Sequence, residues 1–285
     1  MRPPPNGAGG LSALRSLLFL PATATHLLAK AAGRGADALI LDLEDAVPAE
    51  RKAEARVLAA EALAQLAGSG LPVLLRVNAG REAWLQDIAA MPLQALAAVM
   101  LPKVERPGQV TALAQALDAA GAAALPVAAL IESPLGVLAS AEIARHPRLA
   151  ALGFGAEDHA AALGVAPTPQ ALAWPASQVV TCAHAYGLPC WGLAASVAEV
   201  ADMEAFAATV RHARAIGFTG SVCIHPRQVP VVNEGFSPTA DELAWARRVV
   251  EADAAARAQG QGALIVDGRM VDKPIVDRAR RWLAP

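Results

Sequence analysis

Residues 36–67, ADALILDLEDAVPAERKAEARVLAAEALAQLA, contain a whole structural unit. The opening run is apolar and reads as a buried strand over 36–44, and within four residues it meets three carboxylates, Asp42, Glu44 and Asp45. Beyond Pro48 the chemistry changes again: Ala, Leu and Val recur at three- and four-residue spacing with charges on the opposite side, the period of an amphipathic helix. Strand, acidic turn and helix together make one β/α unit. A carboxylate at the mouth of a buried strand costs free energy unless something positive meets it. The stretch therefore raises the question of which cation it faces.

Working outward, the same alternation repeats along the chain. Strand-like runs fall at 15–21, 72–78, 97–105, 126–133, 149–158, 187–193 and 220–226, which with 36–44 makes eight. Ala/Leu-rich stretches of helical period separate them. Eight such units predict a (β/α)8 TIM barrel over residues 13–236 rather than an open doubly wound sheet. Residues 1–12, crowded with Pro and Gly, read as a flexible leader. The chain then continues from 237 to 285 as a short, mostly helical extension. Ser237 or Thr239 is placed to cap its first helix, and "DGRM" makes a turn before a final basic helix. So small a segment is expected to pack as a lid on the barrel or on a neighbouring subunit.

Bulk properties exclude several partners. The chain has 285 residues, 55% hydrophobic and 18% charged, with a formal net charge of -2, enough apolar content for a sizeable core and no basic surplus for nucleic acid or an anionic membrane. Cys182, Cys190 and Cys223 are odd in number and lack the short paired spacing of a zinc site, which fits free thiols in a reducing compartment. Arg15 interrupts the apolar run near the N-terminus, so that run is a poor signal peptide, and no run is long enough to span a membrane. A cytoplasmic enzyme is expected.

The polar residues collect at the carboxyl ends of the expected strands: Asp42, Glu44 and Asp45; Arg76 and Asn78; Lys103 and Glu105; Glu132; Glu157 and Asp158; His225. In a parallel barrel those ends share one face, where catalytic residues of this architecture sit. With many carboxylates and few Cys or His, the ligand set is oxygen and selects a hard cation such as Mg²⁺. Glu132 in "ALIESP" and Asp158 in "GFGAEDHA" are the best metal-ligand pair, with Gly153 and Gly155 permitting close approach. Glu44 and Asp45 are expected to make water-bridged outer contacts to that ion. The alternative for the 42–45 cluster is salt bridges to Arg76 or Lys103.

"RSLLFLPA", "GADALILDLEDAVPAERKAEAR", "LLRVNA", "VMLPKVE", "ALIESPLGVLASAEIA", "ALGFGAEDHAAALG", "GFTGSVCIHPRQVPVVNEGFSPTADELAWARRVVEA" and "GALIVDGRMVDKPIVDRARR" together resemble the citrate lyase β-subunit branch of the HpcH/HpaI aldolase superfamily. The resemblance runs from about Arg15 to the C-terminus. It implies a Mg²⁺-dependent carbon–carbon lyase that cleaves or forms a 3-hydroxyacyl thioester such as citryl-, malyl- or citramalyl-CoA, on CoA or an acyl-carrier protein, with a 2-oxo acid as the other product. It also implies a homo-oligomer, a trimer or hexamer. By the same resemblance Glu132 and Asp158 hold the metal, Arg76 of "RVN" is the catalytic arginine and Asp272 of "MVDKP" the catalytic acid. Phe19, Lys30, Ile224 and His225 match substrate- or CoA-binding positions. Two departures fall where the thioester carrier binds: "PATATH" after the first strand, with His26 where a lysine is common, and "CWGLAASVAEV" after the seventh, with no Asp-Gly pair and Glu199 instead.

The chemistry suits these residue types. Breaking the bond beside a hydroxyl-bearing carbon leaves a 2-oxo acid and a thioester enolate, so two negative charges need stabilisation. A metal ion would lower the hydroxyl pKa, Arg76 would donate directional hydrogen bonds to the oxyanion, and Asp272 would exchange the enolate proton. Two rival readings stand beside this one. A metal-dependent aldolase acting on free hydroxy-oxo acids would use His225 as a base, unless His225 merely satisfies its strand end. A non-catalytic scaffold subunit would lack Glu132, Asp158 or Arg76, and all three are present. Asp272 has an alternative too, as the cap of the final helix before Pro274.

Overall fold

A computed structural model describes residues 8–258 and 264–284. Its described residues form two compact units that meet in sequence at Phe236 and Ser237. The first contains eight strands, β1 (Ser16–Pro21), β2 (Ala38–Asp42), β3 (Val73–Arg76), β4 (Ala98–Leu101), β5 (Val127–Ile131), β6 (Leu149–Phe154), β7 (Cys190–Gly192) and β8 (Ser221–Cys223). All neighbours pair in parallel, β1 to β8 through Ser16↔Ser221 and β1 to β2 through Leu17↔Ala38, giving the order β7-β6-β5-β4-β3-β2-β1-β8. The ring closes where Trp191 bridges Gly220 and the Gly192 N–H donates to the Gly220 carbonyl at 3.0 Å. This is the (β/α)8 barrel, with helices between successive strands.

The strands read as nearly continuous apolar runs because both faces are covered. Alternate residues divide between two layers. Leu39, Leu41, Val73, Leu75, Val99 and Ile131 pack outward against the helices, while Leu17, Ile40, Leu74, Met100, Leu130 and Trp191 fill the barrel interior. That alternation positions the site. On β2 the inward series Ala38, Ile40 continues to Asp42, on β3 Leu74 continues to Arg76, and on β5 Ala128, Leu130 continue to Glu132. The polar side chains are the next inward members at the carboxyl ends.

Several boundaries differ from the sequence reading. The expected strands are longer than the observed ones: 97–105 shortens to Ala98–Leu101 and 149–158 to Leu149–Phe154. The polar tails leave the ladder to form loops and first helical turns, so Asp158 lies in the first turn of helix Ala156–Leu163 rather than on a strand. The leader expected over 1–12 is also too long. Residues 1–7 lie outside the described residues, but Ala8–Leu11 is a helical turn, and Leu11 is 2% exposed among the interior side chains together with Leu14. Burying a leucine offsets the ordering of that turn.

The second unit has helices Ala240–Ala258 and Lys273–Leu283 and an antiparallel hairpin, Leu264–Val266 with Arg269–Val271. Thr239 is the cap: its hydroxyl accepts from the Glu242 N–H at 3.1 Å while Glu242 accepts from the Thr239 N–H at 2.8 Å. Asp267 and Gly268 turn the hairpin with φ of 51° and 74°. Val249, Val266, Val271 and Val276 form a small core of its own. Among the described residues no helix is long and apolar enough to cross a membrane.

Candidate active site

At the carboxyl end of the barrel a cavity of about 320 Å³ opens between Phe19, Asp42, Arg76, Glu132, Asp158 and Trp191. Its charged side is built around Arg76. The guanidinium donates from Nε to Asp42 Oδ1 and from Nη2 to Asp42 Oδ2, both at 2.7 Å, a two-point pair between side chains only 13% and 2% exposed. Nη1 lies 3.0 Å from Glu44 Oε2, and the whole group sits 4.7 Å over the Phe19 ring. Lys103 Nζ lies 2.9 Å from Glu44 Oε1 and 3.2 Å from Asp45 Oδ1. The two Glu44 oxygens are thus at ion-pair distance from cations without being aligned as hydrogen-bond acceptors.

The cations that meet the 42–45 carboxylates belong to the protein, Arg76 and Lys103. Glu44 and Asp45, expected as water-bridged outer contacts of a metal ion, are held by Lys103 and, for Glu44, Arg76. Burial opposes charge on both cations, yet their carboxylate neighbours outweigh it and hold Arg76 and Lys103 well above their ordinary values. Glu44 is raised chiefly by burial, against the pull of Arg76 and Lys103. Lys52 completes the turn, its ammonium donating to the carbonyls of Leu43 and Glu44 at 2.6 Å each.

Glu132 is 5% exposed. One oxygen accepts the backbone N–H of Lys103 at 2.7 Å. That N–H is aimed by an unusual backbone, since Lys103 has φ of 54°, a region costly for a residue with a Cβ. Glu132 also lies tight against Gly155: a Cβ there would come within 2.8 Å of Oε2 and 2.9 Å of the Glu132 Cβ. Only glycine lets the two segments approach this closely. Burial above all, and then the neighbouring Asp158 and the charge of Glu44, push Glu132 up to about 8 despite the Lys103 N–H. His159, 3% exposed, packs on Phe154 with ring centroids 5.5 Å apart.

Glu132 and Asp158 are a pair that could hold a divalent cation. Glu132, desolvated and raised further by its neighbour Asp158, gives a donor set short of positive charge. Among the described residues no three His, Cys, Asp or Glu side chains converge on one point. Two carboxylates with water and substrate completing the shell suit Mg²⁺ rather than zinc.

The opposite wall is apolar, contributed by Trp191, Leu193, Ala195, Val197, Val222 and Ile224. Gln228, fully buried, ties its two loops together. Its amide oxygen accepts the N–H groups of Ile224 and His225 at 2.8 and 3.1 Å, and its nitrogen donates to the carbonyls of Val197 and Glu199 at 2.7 and 3.1 Å. Of the residues expected to contact substrate or carrier, Phe19 and Ile224 line the cavity. Lys30 and His225 do not: Lys30 is exposed in the last turn of helix Thr25–Ala31, and His225 Nδ1 accepts the Arg227 N–H at 3.1 Å, a local turn bond. Glu199 likewise closes a turn, accepting from Ala201 and Asp202. Asp272, in the second unit, is exposed and begins helix Lys273–Leu283 through its backbone carbonyl, while its carboxylate makes no cap bond.

Sequence reasoning missed two features. The Asp42–Arg76 pair is the salt bridge it offered as the alternative for the 42–45 cluster, and period-two counting from Ala38 points Asp42 inward beside Arg76. The Lys103 backbone and Gln228 carried no signal, since neither a strained φ nor a buried amide shows in residue type.

The family model described as HpcH/HpaI aldolase/citrate lyase matches residues 15–226. A citrate lyase subunit beta-like protein of Deinococcus radiodurans is 38% identical over 277 residues, covering 95% of this chain and 96% of the relative. A (3S)-malyl-CoA thioesterase of Cereibacter sphaeroides is 35% identical over 274 residues, 95% of this chain and 93% of the relative. Among solved structures, protein CitE from Mycobacterium tuberculosis in complex with magnesium, acetoacetate and coenzyme A superposes with a TM-score of 0.77 at 34% identity, over 95% of this chain and 98% of that one. The chain belongs to the HpcH/HpaI aldolase/citrate lyase family, and with it to the carbon–carbon lyases.

Proposed function

We propose that this protein is a Mg²⁺-dependent lyase of the cytoplasm that cleaves, or in reverse forms, a 3-hydroxyacyl-CoA carrying a carboxylate on its hydroxyl-bearing carbon. The observation that carries the reading is the buried Glu132 beside Asp158, a pair deficient in positive charge, facing Arg76 across one cavity. A magnesium ion there would supply Lewis acidity toward the substrate's carboxylate and hydroxyl oxygens. The CoA complex of the related CitE supports the choice of carrier.

The chain's own residues account for the rest. In cleavage the hydroxyl loses its proton, its electrons become the carbonyl of the 2-oxo acid, and the electron pair of the broken carbon–carbon bond passes to the thioester enolate. Arg76, held on two sides by Asp42 and Glu44, keeps N–H groups on Nη1 and Nη2 for the developing oxyanion, and because its orientation is fixed beforehand it need not reorganise. Phe19 under the guanidinium excludes water from that side. Asp272, whose carboxylate is not used as a cap, is suited to protonate the enolate carbon of an adjacent subunit's site in a trimeric or hexameric assembly.

A second reading, thioester hydrolysis, is favoured by the malyl-CoA thioesterase relative. One assay separates them. With malyl-CoA or citramalyl-CoA and Mg²⁺, a lyase releases glyoxylate or pyruvate in step with acetyl-CoA and no free thiol. Free CoA without any 2-oxo acid would overturn the lyase reading in favour of hydrolysis.

A further inference from the structure

Resting on the lyase reading, we infer that the hydroxyl-bearing carbon of the substrate carries hydrogen or a small alkyl group as its remaining substituent, not a second carboxylate-bearing arm. The 2-oxo acid partner is then of the glyoxylate or pyruvate class rather than a dicarboxylate such as oxaloacetate.

The argument is a count of charges around the cavity. Five carboxylates line it, Asp42, Asp45, Glu132, Glu157 and Asp158, and among the described lining residues Arg76 is the one cation. Arg76 already faces Asp42 at 2.7 Å and Glu44 at 3.0 Å, so its positive charge is matched before any substrate arrives. Lys103 is paired with Glu44 and Asp45 and does not line the cavity. A divalent cation at Glu132 and Asp158 balances those two carboxylates and can take the one carboxylate next to the hydroxyl. Nothing positive is left for another.

The apolar part of the lining adds no compensating charge. Leu193, Ala195, Val197, Val222 and Ile224 offer no charged group, and Leu193 is 2% exposed. An anionic arm placed here would lose its water and gain no counter-ion, which discriminates strongly against it. A hydrogen or a methyl group would instead bury against alkyl side chains.

Calorimetric titration of the full-length protein with glyoxylate, pyruvate and oxaloacetate at saturating Mg²⁺ tests this without needing turnover. Pyruvate is expected to bind at least about 10-fold tighter than oxaloacetate, and citramalyl-CoA to be cleaved about 10²-fold more efficiently than citryl-CoA. Val197→Lys, which adds an ammonium at the partly exposed edge of the apolar wall, is expected to raise the affinity for oxaloacetate relative to pyruvate about 5-fold or more. If oxaloacetate binds as tightly as pyruvate to the unaltered protein, the inference is wrong and the lyase reading stands. If none of the three binds in the presence of Mg²⁺, the lyase reading itself fails and takes the inference with it.

Discussion

Replacing Asp42 with alanine isolates the contact on which the charged side of the cavity depends. The substitution leaves Arg76 buried with its two-point partner gone. Breaking a buried ion pair from one side costs about 3–5 kcal/mol, and the low end applies here because Glu44 stays 3.0 Å from Nη1 and keeps part of the compensation. For a unit of this size each kcal/mol shifts the melting temperature by about 2–4 °C, so a loss of about 3 kcal/mol predicts a Tm lower by roughly 6–12 °C. Asp42→Asn, which keeps the shape and one acceptor oxygen, should fall between. Thermal melts followed by circular dichroism read this directly, with no cation added so that metal binding does not contribute. The same variants should lose turnover, about 10-fold or more for Asp42→Asn, because Arg76 is then less firmly aimed. Their Mg²⁺ activation constant should stay near normal, since Asp42 is not among the proposed metal ligands. If Asp42→Ala melts with the unaltered protein, the pair contributes no net stability. If its Mg²⁺ requirement shifts instead, Asp42 belongs to the metal site.

Glu132 makes the metal-free protein pH-sensitive in a defined direction. Its folded-state value, near 8, is above its ordinary value, so between about pH 5 and 8 the native state holds a proton that the unfolded chain has lost, and stability from this group falls as pH rises. Melts of Glu132→Gln across that window should lack this slope, and an unchanged slope would remove Glu132 as its source. Glu132→Gln and Asp158→Asn should each weaken Mg²⁺ binding by about 10-fold or more with the fold retained, as read by titration calorimetry. Arg76→Lys keeps the charge but loses the fork, and kcat should drop by roughly 10²-fold; near-normal turnover would make Arg76 structural. Glu132→Ala and Asp272→Ala should each be inactive alone, yet co-assembled in equal amounts they should regain about a quarter of the sites if one chain supplies Glu132 and the next Asp272. Confirmed co-assembly without recovered activity would place both residues in one chain's site or reduce Asp272 to a helix start.

How much of this was legible in sequence divides along a physical line. Strand number and order were readable because burial on both faces forces continuous apolar runs such as ALILD and VAALI, and the alternation with amphipathic helices leaves few topologies. Strand ends were not. Hydrophobic pattern stops where burial stops, whereas a strand stops where its ladder bonds stop, and in 97–105 those points differ by four residues because Lys103 turns into a left-handed conformation. The leader misled for a related reason: Leu11 is a single apolar residue in a Gly-rich stretch, too isolated to show period, yet it fills the barrel interior.

The carboxylate cluster shows why residue type alone underdetermines a site. Asp42, Glu44, Glu132 and Asp158 are equivalent in sequence, each an acid at the end of an apolar run. Their neighbours separate them. Asp42 meets a guanidinium in two-point geometry and serves to orient it, while Glu44, raised by burial, stands between Arg76 and Lys103. Glu132 meets a backbone N–H, a glycine and another carboxylate, none of them a full positive charge. A buried acid with a cation already beside it serves to anchor that cation, and one without is the better candidate to hold an exogenous cation. That difference follows from which strand lies next to which: β3 sets Arg76 against β2, and β6 delivers Asp158 and Gly155 to β5. Topology assigns the roles that composition leaves open.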